Sequence, residues 1–167
     1  MIQKFVTYGI AVYLNPVFEK EDLKAKKLSK NATELQTIQN TMIRMIFGLN
    51  TKNHINMMKI REKIKMMSVN QMCIYHTLLE AFNVVKNSSS EQIKLKWETK
   101  NENQYQLRSH ARNDARIPKK PNNKCKGFSY FGAKLLNMLP CDVKVTENSN
   151  FFKTQIKQWI WLNIPSY

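Results

Sequence analysis

From Val69 to Val85, seventeen consecutive residues carry a single charge, Glu80. Wound as a helix, the segment puts Met72, His76, Leu79 and Asn83 on one face and Ile74, Leu78, Ala81 and Val85 on another. A helix that is apolar on most sides has little to offer water and is buried. Ser68 just before it and Gln71 three residues later have the spacing of a capping box, which marks its start. The segment is therefore the candidate for the central helix.

Other segments supply shorter helical patterns. Ile2, Phe5, Val6, Gly9, Ile10 and Tyr13 share one helical face, and Pro16 ends that helix. Residues 19–30 form a charged, solvated stretch. Asn31 is the expected cap of a second helix, with Glu34 as its partner, an apolar stripe of Leu35, Ile38, Met42, Met45 and Ile46, and Gly48 as a left-handed stop. A short helix over 53–61 uses Ile55 and Met58. Ala133 to Met138 predict a helical turn or two before Pro140, and Ser149 is expected to cap a last helix with Phe152, Ile156, Trp159 and Ile160 on its face. Alternation suited to strands is confined to Lys94-Leu95-Lys96 and Val143 to Val145. The expected fold is mainly α, a small helical bundle with a long basic irregular segment before a C-terminal helix. Its parts are a helical core over 1–86, a basic, partly ordered arm over 87–126, and a C-terminal turn and helix over 127–167 that pack back on the core.

The chain of 167 residues has a formal charge of +15, which makes polyanions its natural partners: an RNA or DNA backbone first, an anionic membrane surface second. An A/T-rich coding sequence, which favours Lys, Asn and Ile, is a compositional source for part of that charge. Counting Lys86, the stretch up to Lys126 holds eleven Lys or Arg against four acids. Within it Arg108, Arg112 and Arg116 recur every four residues, with His110 between them. On a helix they would line one side, and guanidinium forks engage phosphate bidentately. Lys119, Lys120, Lys124 and Lys126 extend the positive field, while Tyr105 and Phe128 flank it and suit stacking on unpaired bases. The alternative for the same residues is a solvated basic linker without a specific ligand.

Little else in the chain suggests chemistry. Cys73, Cys125 and Cys141 are an odd set without paired spacing, as expected of reduced thiols in a nuclear or cytoplasmic protein. Neither they nor His110 have zinc-site spacing, so no metal or other cofactor is expected. His76 reads as a hydrogen-bonded core residue, and nearby Cys73 as inert packing. Four unclustered glycines form no phosphate loop, and no small-molecule substrate is implied. The apolar run Phe5 to Leu14 lacks a cleavage site and is too short to span a bilayer, so no transmembrane segment is expected.

The C-terminal part carries a further pattern: Gly127-Phe128-Ser129, Gly132, Leu136-Asn137-Met138-Leu139-Pro140, then Phe151-Phe152-Lys153. This order resembles the tail of reverse transcriptases encoded by non-LTR retrotransposons, with its glycine, aromatic-Asn-x-Leu-Pro turn and final Phe-Lys helix. Tyr8-Gly9-Ile10 is similar to the tyrosine-glycine helix that follows the family's palm and thumb core. Leu35, Gln39, Arg44 and Gly48 are similar to its leucine-glutamine-arginine helix, and Tyr105, Leu107 and Arg108 to its tyrosine-x-leucine-arginine stretch. Leu136 stands where the family usually has tryptophan. The resemblance implies a helical thumb and C-terminal extension of an RNA-directed DNA polymerase, gripping template RNA or target DNA. The polymerase carboxylates of the family sit in a Tyr-x-Asp-Asp turn. The only adjacent acids here, Glu21-Asp22, lie in a lysine-flanked polar connector, so no enzymatic activity is expected. The expected function is a non-catalytic, nucleic-acid-binding C-terminal fragment of such an enzyme. The alternative is a small helical interaction module with no nucleic-acid role. In either case Asn137 is expected to cap backbone, Leu139 to be buried and Pro140 to stop a helix.

Overall fold

A computed structural model of the chain describes residues 30–50, 55–87, 97, 114, 115, 117 and 128–165. Among them are six helices and no strand, so the fold is mainly α. The helices are α1 (Lys30–Ile46), α2 (Met57–Lys63), α3 (Val69–Asn87), α4 (Phe128–Met138), α5 (Cys141–Val145) and α6 (Ser149–Asn163). The helix expected from Ile2 to Tyr13 and the strand candidate at 94–96 lie outside the described residues. The chain forms two compact units, Met1–Cys73 with Trp161–Tyr167, and Ile74–Ile160. The divisions fall within α3 and α6.

In the first unit, α3 starts with the expected capping box. Gln71 Nα–H donates to Ser68 Oγ at 3.3 Å, and Ser68 Nα–H donates to Gln71 Oε1 at 3.0 Å. Gln71 Nε2 also donates to the Ile164 carbonyl at 2.9 Å, so one side chain serves both the helix start and the chain's C-terminal stretch. Val69, Met72 and Cys73 are buried, as the central-helix expectation requires.

α1 departs from expectation in two ways. It begins at Lys30, which puts Asn31 inside the first turn and not at the cap. Its buried residues are Ala32, Gln36, Gln39 and Ile43, whereas Ile38, Met45 and Ile46 of the expected stripe are exposed, Met45 by 76%. Hydrogen bonding explains the rotation. Gln36 Oε1 accepts from the Val69 N–H at 2.9 Å, and Gln39 Nε2 donates to the Met67 carbonyl at 2.9 Å. Gln36 Nε2 donates to Gln39 Oε1 at 2.7 Å and to Asn40 Oδ1 at 3.1 Å. Asn40 Oδ1 also receives Arg61 Nη1 at 2.7 Å. Buried polar groups left without partners cost a few kcal/mol each, so the face that supplies partners for the 67–69 backbone turns inward.

α2 is shifted from the expected 53–61. Asn56 caps it, its Oδ1 accepting from the Met58 and Lys59 N–H groups at 3.1 and 3.3 Å. Ile55 precedes the helix, Met58 is exposed, and the buried residue is Arg61. Burial holds the Arg61 guanidinium below its usual pKa, with Glu62 opposing that shift. α1 and α2 end alike. Gly48 (φ 59°) follows α1, with Leu49 N–H donating to the Arg44 carbonyl and Gly48 N–H to that of Met45. Lys65 (φ 53°) follows α2, with Met66 N–H donating to the Arg61 carbonyl and Lys65 N–H to that of Glu62. Both are Schellman endings, the first with the expected glycine and the second with a lysine in the left-handed position.

The second unit is built on the rest of α3, where Ile74, Leu78, Ala81 and Phe82 are buried. Phe152, Ile156 and Ile160 of α6 are fully buried, and the Phe82 and Phe152 rings stack with centroids 4.2 Å apart. α6 is capped by Asn148 and not by Ser149. The Asn148 Oδ1 accepts from the Asn150 and Phe151 N–H groups at 2.9 and 3.1 Å, and Ser149 becomes the first helical residue. α4 is longer than expected, starting at Phe128. Val143 to Val145, the strand candidate, is helical in α5: the Pro140 carbonyl accepts from the Val143 and Lys144 N–H groups, which closes a turn in place of an extended run. His76 is half-buried, its ring edge-on to Tyr75 at 5.4 Å between centroids.

Candidate nucleic-acid interface

The residues expected to meet phosphate and bases, Tyr105, Arg108, Arg112, Arg116, Lys119, Lys120, Lys124 and Lys126, lie outside the described residues. What the structure does describe is where the basic stretch is held at Trp97 and at Asp114-Ala115, all in the second unit.

Trp97 is buried, and its Nε1 donates to the Ser129 carbonyl at 2.6 Å. Its indole lies so close to α4 that a Cβ on Gly132 would sit 2.7 Å from Cη2 and 2.9 Å from Cζ2. Only glycine leaves room there, which gives the glycine of the tail pattern a packing reason. Phe128, a candidate for base stacking, is half-buried with its ring 5.5 Å from that of Trp97.

The second anchor is the Asn-x-Leu-Pro corner. Asn137 Oδ1 accepts from the Ala115 N–H at 2.7 Å, and Asn137 Nδ2 donates to the Ala115 carbonyl at 2.8 Å. Lys144 Nζ pairs with Asp114 Oδ1 at 2.7 Å and donates to the Asn137 carbonyl at 3.0 Å. With its side chain 4% exposed, Lys144 is committed to this corner. Leu139 is buried and Pro140 separates α4 from α5, as expected. Asn137 does cap backbone, but the backbone is that of a residue 22 positions away. Sequence reasoning missed Trp97, Asp114 and Lys144 as anchors. The available signal was a lone tryptophan near Ile93 and Leu95 in an otherwise polar stretch.

The remaining reactive groups offer little chemistry. Burial pushes the Cys73 thiol up to about 12, so it is protonated at neutral pH and a poor nucleophile. Burial also lowers the His76 pKa, with Glu80 opposing, and raises that of Tyr75. The Lys157 ammonium lies 5.6 Å from the centre of the Tyr75 ring. Among the described residues, no three His, Cys, Asp or Glu side chains gather as a metal site would require, and no helix is long and apolar enough to cross a membrane.

Compared with models of known protein families, with curated proteins and with solved structures, the chain matches none.

Proposed function

We propose that the protein is a non-catalytic, nucleic-acid-binding relative of the C-terminal region of non-LTR retrotransposon reverse transcriptases. It acts in the nucleus or cytoplasm on RNA or DNA backbones. The observation that carries the reading is the concentration of charge just ahead of the tail pattern: Arg108, Arg112, Arg116, Lys119, Lys120, Lys124 and Lys126 within nineteen residues. Such a run neutralises phosphates and releases counterions largely without regard to sequence. The anchors support the reading, because they tie the chain to α4 ahead of this run, at Trp97, and within it, at Ala115. The chain has no polymerase activity of its own in this reading.

Fluorescence anisotropy with labelled single-stranded RNA and DNA tests it. Affinity should fall steeply between 50 and 200 mM salt, by roughly two to three orders of magnitude if about six phosphates are engaged. Replacing Arg108, Arg112 and Arg116 with glutamine should lower the salt slope by about 2–3 and leave the helical circular dichroism intact. Salt-independent binding, or none at low salt, would overturn the reading. Magnesium-dependent nucleotide incorporation by the chain alone would overturn its non-catalytic part.

A further inference from the structure

The rotation of α1 leaves its most apolar face open. Leu35, Ile38, Met42 and Met45 follow one another at three- and four-residue spacing, Ile46 lies four residues after Met42, and Phe47 prolongs the stripe; Leu35 and Met42 are half-buried. Ile38, Met45, Ile46 and Phe47 are between 47% and 76% exposed. The helix cannot roll to bury them. Its other side is tied through Gln36 to the Val69 N–H, through Gln39 to the Met67 carbonyl and through Asn40 to Arg61. A continuous apolar stripe of this kind marks a surface that another element covers.

We propose that this stripe is the docking surface for the chain's own segment Ile2–Tyr13, which lies outside the described residues. Length, position and chemistry all favour that occupant. Ile2–Tyr13 and Leu35–Ile46 are twelve residues each, about 18 Å if helical. Ile2, Phe5, Val6, Ile10 and Tyr13 share one helical face. Lys4, the only charge of the segment, falls on the opposite side. Gly9 sits within the apolar face and allows two helix backbones to come close. Sixteen residues, 14–29, join the segment to Lys30. They reach up to about 50 Å when extended, against the roughly 25 Å length of α1, so the segment can lie along the stripe in either direction. Neither surface carries a charge that docking would strip of water. The inference is independent of the nucleic-acid reading.

Hydrogen exchange of the full chain, read by mass spectrometry, tests it alongside sedimentation. The amides of residues 2–13 should exchange at least about tenfold more slowly than in an unstructured chain. Ile38→Asp with Met45→Asp should abolish that protection while α1 keeps its own. Phe5→Asp with Ile10→Asp, which leaves the described core untouched, should do the same and carries the test if the first variant unfolds. All three proteins should sediment as monomers. Unprotected amides over 2–13 in the native chain, or protection that survives both double variants, would overturn the proposal. So would a native dimer dissociated by Ile38→Asp with Met45→Asp, which would assign the stripe to a second copy.

Discussion

Asn137 holds the main chain of Ala115 on both sides, taking its N–H at 2.7 Å and giving to its carbonyl at 2.8 Å. One amide side chain thus does for a single residue what a neighbouring strand would do. It needs both a donor and an acceptor in one plane, a requirement that asparagine meets at this reach. Lys144 completes the corner by pairing with Asp114 and donating to the Asn137 carbonyl.

Asn137→Ala removes both bonds and leaves the partly buried Ala115 groups without their partner. A loss of about 1–3 kcal/mol is expected, read as a lower urea midpoint. The Ala115 amide should lose its exchange protection, while the amides of α6 retain theirs at low denaturant.

Gly132→Ala drives a methyl into the Trp97 indole, a rigid ring that the Ser129 carbonyl already holds at 2.6 Å. The ring cannot yield as a flexible side-chain tip would, so about 1–3 kcal/mol of destabilisation is expected from overpacking. Adding Trp97→Ala should recover part of the loss due to Gly132→Ala, because the two residues share one contact. Additive losses in the double variant would contradict the clash.

Lys65→Gly acts in the opposite direction. Lys65 holds φ 53° to close the Schellman ending of α2, a conformation that costs an L-residue roughly 1–2 kcal/mol. Glycine removes that strain but gives back about 0.5–1 kcal/mol in unfolded-chain entropy. A net gain of up to about 1 kcal/mol should appear as a higher thermal midpoint. Gly48→Ala, in the same position after α1, should lower it.

Much of the fold is legible in the sequence because it is local. The Ser68–Gln71 capping box, the apolar length of α3, the Gly48 stop and the Phe152-Ile156-Ile160 face of α6 each depend on residues within a few positions of one another. The misses share one cause. The rotation of α1, the burial of Arg61 and the partner of Asn137 all depend on hydrogen bonds between residues 21 to 33 positions apart, which periodicity cannot register. The strand candidate at Val143 to Val145 gave way for a smaller reason: valine also fits a helical turn once the Pro140 carbonyl is placed to receive the N–H groups of Val143 and Lys144.

The candidate interface divides in the same way. By itself the sequence determined a mainly α chain with a largely buried helix over 69–87 and an arginine- and lysine-rich stretch suited to phosphate, since charge and apolar spacing are properties of order alone. Only the tertiary structure decided that a tryptophan against a glycine and an asparagine against a distant backbone fasten the chain at Trp97 and Ala115, and that α1 turns its amides inward and its methyl groups out. Buried polar groups must find partners wherever the fold brings them, and that demand outweighs the pull of an exposed apolar stripe.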